Sequence, residues 1–287
     1  QPEVILTTYD AITSIVGGGG IYQGNLSDQS GTVSSIRMFN KNEYFDKKNR
    51  IFCQQFAPEK GYFLGGSNNL GGGLIEWAKI AFYKNDQNIY NLMESESRES
   101  INLRMAQSGL IFLPNLLGSR SPSWNPNEKG VFFGIERFHE RGDLMKSIFE
   151  SIAFSLREIV EIIESSGTKA NKIIGGGGLT KISISNEIKS TITGLPYYTT
   201  KESEITSLGA AIIALTSERV YSSNKEACKT MIVEKDEILP NKKFKNYYDD
   251  MFGQFLRLTK SMTPFYEENI RIIKKNQVSK KLNLINL

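Results

Sequence analysis

Four consecutive glycines, Gly175 to Gly178, follow the apolar pair Ile173 and Ile174 and lead into a helix-like run. Glycine permits positive φ and lets backbone approach a ligand with no Cβ in the way. The helix that follows has unpaired N-terminal N–H groups, so the junction is a seat for a polar or anionic ligand. A plain tight turn between strand and helix is the simpler alternative, but four glycines exceed what a turn needs.

A second chemical group is the carboxylate of Asp10. The run Val4 to Thr8 reads as a strand that turns into a helix at Asp10. A carboxylate at a strand's C-terminal end is where α/β proteins place ligand-facing groups. Asp is also among the best helix N-caps, and local sequence alone favours the cap.

Two further stretches repeat the glycine theme. A four-glycine run, Gly17 to Gly20, precedes the hydroxyl-rich turn Ser30–Gly31–Thr32–Val33–Ser34–Ser35, which offers N–H and hydroxyl donors to phosphate oxygens. That turn is also a common hairpin pattern. Gly71 to Gly73 then open an amphipathic helix through Trp77 and Phe82. Separate glycine junctions of this kind point to several loops converging on one ligand.

The elements that must position these groups are legible from periodicity. Residues 36–64 alternate and carry turn formers, which suggests a β-meander. Residues 85–109 read as a polar helix and 110–122 as a strand that Pro114 confines to an edge or bulge. Residues 119–135 read as a loop punctuated by Pro122, Pro126 and Gly130. The strongest helix is 138–167, with Leu144, Ile148, Ile152, Leu156, Ile159 and Ile163 spaced at three and four and Asp143 near its positive end. Residues 173–214 read strand, glycine turn, helix, short strand, acidic turn, helix; 216–246 as helix and loop; 246–273 as a long aromatic helix. One α/β domain with a mixed sheet, residues 1–273, follows from this order. A basic tail, 274–287, is expected to fray or be disordered.

Composition excludes several classes. At 287 residues and 39% hydrophobic, with 16 Phe and 12 Tyr, the chain can bury a large core and is not a disordered protein. The net charge of +4 comes from scattered basic residues, unlike the dense patch a nucleic-acid surface needs. Cys53 and Cys228 are isolated, which argues for a reducing, cytoplasmic setting and against a zinc site or disulfide scaffold. With one histidine, His-based metal or triad chemistry lacks material. No run reaches the ~18 apolar residues of a spanning helix, and no signal peptide is evident. The chain begins at Gln1 without methionine and is expected to be part of a longer protein.

Three segments carry a resemblance. GVFFGIERFHERGDLMKSIFESIAFSLREIVEII, IIGGGGLTKISISNEIKSTITGLPY and ESEITSLGAAIIA resemble, in order and over nearly the whole chain, the C-terminal half of the FGGY carbohydrate kinases. The resemblance implies an actin-like ATPase fold of ribonuclease-H-like type, a mixed β-sheet flanked by helices, facing an N-terminal half across a cleft. It makes Asp10, in TTYDA, the catalytic base, with Tyr9 at a position that is often His or Gly. It matches Gly31 and Thr32 to the phosphate loop, where Val33 replaces a usual Ser or Gly. It matches Gly72 and Glu76 to nucleotide-side positions and Gly176, Gly177 and Gly178 to the adenosine motif. Lys181 falls where an adenine-contacting Asn is found in glycerol kinase. Glu202 and Gly209 match a segment that packs the last helix against the sheet, and Arg120 and Trp124 a structural or hinge loop at the cleft edge.

The resemblance further implies ATP and Mg²⁺ as cofactors, the metal held mostly by the N-terminal half, so that no metal ligand is expected in this chain. Implied partners are that N-terminal domain, a sugar or polyol, and a second copy of the chain, with neither nucleic acid nor membrane. Phosphoryl transfer asks mainly for positioning and charge neutralisation, with one carboxylate to take the hydroxyl proton. This chain alone is expected to be inactive. An actin-like nucleotide-binding scaffold or pseudokinase, with Tyr9, Val33 and Lys181 marking lost chemistry, is the alternative.

Overall fold

The computed structural model describes residues 4–84, 86–105 and 108–285, with side chains through residue 276. A seven-stranded mixed sheet forms its centre, in the order β3 (Phe52–Phe56), β4 (Gly61–Asn68), β2 (Ser34–Asn40), β1 (Asn25–Ser30), β7 (Lys172–Gly176), β8 (Tyr197–Thr200), β9 (Glu234–Ile238). β7 pairs in parallel with both β1 and β8, and the other pairs are antiparallel. β5 (Ile111–Pro114) and β6 (Gly130–Phe133) form a separate antiparallel pair.

Alternation along the strands divides the core into two faces. Leu26, Ile36, Met38 and Leu64 pack with Leu156, Ile159 and Ile163 of α4 (Arg141–Glu164). Phe39 and Phe63 point the other way, against Ile12, Ile15 and Val16 of α1 (Asp10–Gly17), Ile212 of α6 (Ile205–Ser217) and Ala227 of α7 (Asn224–Met231). A third cluster joins α4 to α2 (Gly72–Phe82), α3 (Ile89–Arg104), α5 (Ser183–Thr193) and α8 (Lys245–Ile285). The fold is therefore the expected mixed sheet flanked by helices. The expected long helix is α4, opened by a reciprocal capping box between Glu140 and Asp143.

Several expectations change. Val4 to Thr8 forms no strand; Val4 is 94% and Leu6 97% exposed, because no neighbouring strand offers them a ladder. Asp10 is thus the first residue of α1, and Tyr9, with extended backbone, holds the cap position. Residues 36–64 are no meander: β4 lies between β2 and β3. β3, polar and partly exposed in FCQQF, suits an edge, whereas buried GYFLGGSN suits the interior. The 216–246 stretch contains β9, an exposed edge strand whose sequence EKDEI carries no apolar alternation. The 119–135 loop contains β6.

Candidate functional site

The hairpin turn between β1 and β2 meets the start of α2 through three backbone bonds. The amides of Gly71, Gly72 and Gly73 donate to the carbonyls of Thr32 (2.8 Å), Gly31 (2.8 Å) and Thr32 (3.2 Å). The turn's carbonyls thereby satisfy the helix N-terminus, and the amides of Thr32 and Val33 are left with no backbone acceptor among the described residues. The three glycines of this cluster serve that close approach: a Cβ on Gly72 would lie 3.0 Å from the Gly31 carbonyl oxygen.

The glycine run after β7 forms the facing wall. Gly177 has φ +90°, and a Cβ there would sit 2.7 Å from the Ser30 carbonyl oxygen, so only glycine fits. Its amide donates to Ser203 at 2.8 Å. Gly178 differs: a Cβ there would meet nothing within 4 Å. The amides of Gly178 and Leu179 likewise have no backbone acceptor among the described residues.

Between these walls lies a cleft of about 620 Å³, within the range of small-ligand sites. Gly31, Thr32, Gly72, Glu76, Gly177, Gly178 and Lys181 all line it, together with Gln29, Ile75, Tyr90, Ile182 and Glu204. Ile75, Leu179 and Ile182 make its apolar surface, and Lys181 is exposed at its rim. Gly176, the last residue of β7, is not a lining residue; it is buried where a Cβ would meet Ile205. The Tyr90 hydroxyl donates to Glu76, and Lys79 donates to it at 3.3 Å. The tyrosine bond above all, then the lysine, holds the Glu76 carboxyl below its ordinary value against a partial desolvation penalty. Gln29 donates to Thr206 Oγ1 at 3.0 Å, tying β1 to α6 beside Glu204.

Asp10 is not in this cleft. It is exposed on the first turn of α1, where its Oδ1 accepts the amide of Ala11 at 2.8 Å. Tyr9 donates its hydroxyl to Gln54 of β3, and the guanidinium of Arg37 donates to the Ala11 carbonyl at 3.2 Å, so α1 starts over the β3 side of the sheet. The glycines at the other end of α1 serve helix packing: a Cβ on Gly17 would lie 1.9 Å from the Ile205 carbonyl oxygen, and one on Gly209 would lie 1.8 Å from that of Thr13. Gly209 therefore packs α6 against α1 rather than against the sheet.

Glu204, Gln29 and Tyr90 escaped sequence reasoning. Glu204 sits inside a segment read as packing, while Gln29 and Tyr90 carry no local signal and reach the cleft through tertiary packing. Among the described residues no group of three or more His, Cys, Asp or Glu converges to hold a metal ion, and Glu76 and Glu204 stand singly in the cleft lining. Among the described residues no helix is long and apolar enough to cross a membrane.

Comparison with known proteins supplies the context. Residues 29–218 match the C-terminal domain of the FGGY family of carbohydrate kinases. A gluconokinase of Bacillus subtilis is 26% identical over 229 residues, which are 75% of this chain and 43% of that protein. A xylulose kinase of Staphylococcus epidermidis is 27% identical over 208 residues, 70% of this chain and 40% of that one. Gluconate kinase from Lactobacillus acidophilus superposes with a TM-score of 0.82 at 24% identity, over 90% of this chain and 51% of its own. The chain thus spans about half the length of the relatives it matches.

Proposed function

The chain belongs to the FGGY family of carbohydrate kinases through that C-terminal domain, and from this premise we propose that it is the nucleotide-binding half of an ATP-dependent kinase that phosphorylates a sugar or polyol hydroxyl. One observation carries the proposal: the turn at Gly31–Thr32, the start of α2 at Gly72 and the run Gly177–Gly178, far apart in sequence, meet around one cleft. The amides of Thr32, Gly178 and Leu179, which line the cleft with no backbone acceptor among the described residues, suit phosphate oxygens, and the apolar surface of Ile75, Leu179 and Ile182 suits a nucleoside. Gly176 supports the second glycine wall from behind. Glu76 and Lys181 supply polar groups on the nucleoside side.

Asp10 is assigned as general base, taking the acceptor hydroxyl's proton as it attacks the γ-phosphate. Its exposure on this chain fits a group that meets its substrate against the N-terminal half of the same kinase. Mg²⁺, when bound, would supply neutralisation of the charge on the transferring phosphate. Among the described residues no group of three or more His, Cys, Asp or Glu converges that would hold it. The sugar or polyol, the N-terminal half and a second copy of the chain are the proposed partners, and a cytoplasmic setting is proposed with them. This chain alone should show no turnover.

The exposure of Asp10 outside the cleft, with Val33 40% exposed at the turn, favours a second reading, a nucleotide-binding scaffold without sugar phosphorylation. Coupled ADP release by the full-length protein over a sugar and polyol panel separates the two. Acceptor-dependent turnover supports the kinase, and nucleotide binding with no acceptor dependence supports the scaffold. If ATP does not bind at all, both fail.

A further inference from the structure

Beneath the cleft lies a charged network that the site itself does not use. Lys189 of α5 and Asp28 of β1 are each 0% exposed and are joined at 2.7 Å. Lys189 also donates to Ser30 Oγ, which donates to both oxygens of Asp28 at 2.9 and 3.0 Å. The hydroxyl of Tyr197, on β8, donates to Asp28 Oδ2 at 2.8 Å. Burying such a pair is weak evidence of stabilisation, because desolvation offsets most of the attraction; a role in fixing one arrangement has to be argued from its location.

Here the location is specific. Ser30 is the last residue of β1, immediately before the turn Gly31–Val33. Its carbonyl oxygen fills the space in front of Gly177, and the next carbonyl, that of Gly31, accepts the amide that starts α2. The Tyr197 hydroxyl occupies the space above Gly175, 2.1 Å from where a Cβ would be. A movement of Ser30 would therefore move both glycine walls at once. Asp28 and Ser30 reach the network from β1, Lys189 from the α5 crossover and Tyr197 from β8, so one cluster locks together the strand ends at which the cleft opens.

We propose that Lys189 is a positioning residue for phosphate binding: through Asp28 and Ser30 it holds the Gly31–Val33 turn in register with Gly177–Gly178. This deepens the nucleotide reading above and rests on it. The side chain touches no ligand; it acts through the backbone that does.

The test compares ADP with adenosine by NMR titration of the 287-residue chain. Lys189→Met is expected to weaken ADP about tenfold or more, since a misplaced binding group can cost roughly a hundredfold. Adenosine, which lacks phosphates, should change less than about twofold. Ser30→Ala should weaken ADP in the same direction by a smaller factor. Should Lys189→Met fail to fold, Asp28→Asn combined with Lys189→Met leaves no unpaired buried charge and carries the same comparison. ADP affinity unchanged in the folded variants, or equal losses for ADP and adenosine, would overturn the positioning role while leaving the nucleotide site intact. Wild-type chain that binds no ADP would overturn the nucleotide reading, and the role with it.

Discussion

Gly72 donates its amide to the carbonyl of Gly31 at 2.8 Å, so that a helix start and a hairpin turn share one bond at the mouth of the cleft. The bond consumes a helix N-terminal donor of the kind anion sites often use. The amides left to a ligand would therefore be those of Thr32 in the turn and of Gly178 and Leu179 in the facing wall, which line the cleft and have no backbone acceptor among the described residues.

Gly178 and Gly177, adjacent in sequence, should respond differently to substitution. Gly178 has negative φ and open space before it. Gly178→Phe is expected to change stability by no more than about 0.5 kcal/mol in urea unfolding, as surface changes do. It should nevertheless abolish ADP binding by filling the cleft, as read by calorimetric titration.

Gly177→Ala meets both a φ of +90° and the Ser30 carbonyl at 2.7 Å. It is expected to destabilise the chain by about 1–3 kcal/mol, measured by the urea midpoint at unchanged slope. A neutral result would mean that the β1 end can yield, contrary to the packing described.

Asp10→Asn would remove the proposed general base yet keep an oxygen to accept the Ala11 amide, and Asp10 is exposed, so the fold should be unaffected. In the full-length protein, turnover should fall about 10²–10⁴-fold with ADP affinity unchanged. Retained turnover in a steady-state assay would remove Asp10 from the mechanism.

Gly209→Ala would place a Cβ 1.8 Å from the Thr13 carbonyl oxygen at the crossing of α1 and α6. Overpacking at such a contact costs about 1–3 kcal/mol. Thermal unfolding should show the loss, whereas ADP affinity measured well below the transition should hold, because that crossing lies off the cleft.

Burial pushes the Glu158 carboxyl up from 4.5 to about 7; nearby Arg50 opposes this, and Glu128 and Glu161 add to it. A raised carboxyl pKa means the folded chain holds the proton more tightly than the unfolded chain. The contribution is therefore complete below about 4.5 and is lost as pH rises through about 7. The slope it adds is at most about 1.4 kcal/mol per pH unit. Glu158→Gln should remove this component, seen as a flatter stability profile between pH 5 and 7 than that of the wild type. Parallel profiles for the two proteins would show that Glu158 titrates alike folded and unfolded.

Local chemistry and periodicity were enough for α4, for the strand–turn–helix at Ile173–Thr193, for the hairpin turn at Gly31–Thr32 and for the glycine-led start of α2. Each is specified by apolar spacing or by glycine within a few residues. A mixed sheet was legible for the same reason, whereas the family and its helix-flanked sheet were legible from the resemblance of three segments. Tertiary structure alone decided what the glycine clusters are for: Gly177 and Gly178 bound the cleft, Gly72 seats a helix on a turn, and Gly17 with Gly209 lets two helices cross. It also decided that Val4–Thr8 has no strand partner, that EKDEI completes the sheet edge, and that Asp28 and Lys189 meet in the interior. A residue's type and spacing constrain its own backbone, but a strand needs a neighbour, a buried charge needs its counter-charge and a cleft needs two walls, and these come from distant segments, 161 residues apart for Asp28 and Lys189 and 177 for Gln29 and Thr206.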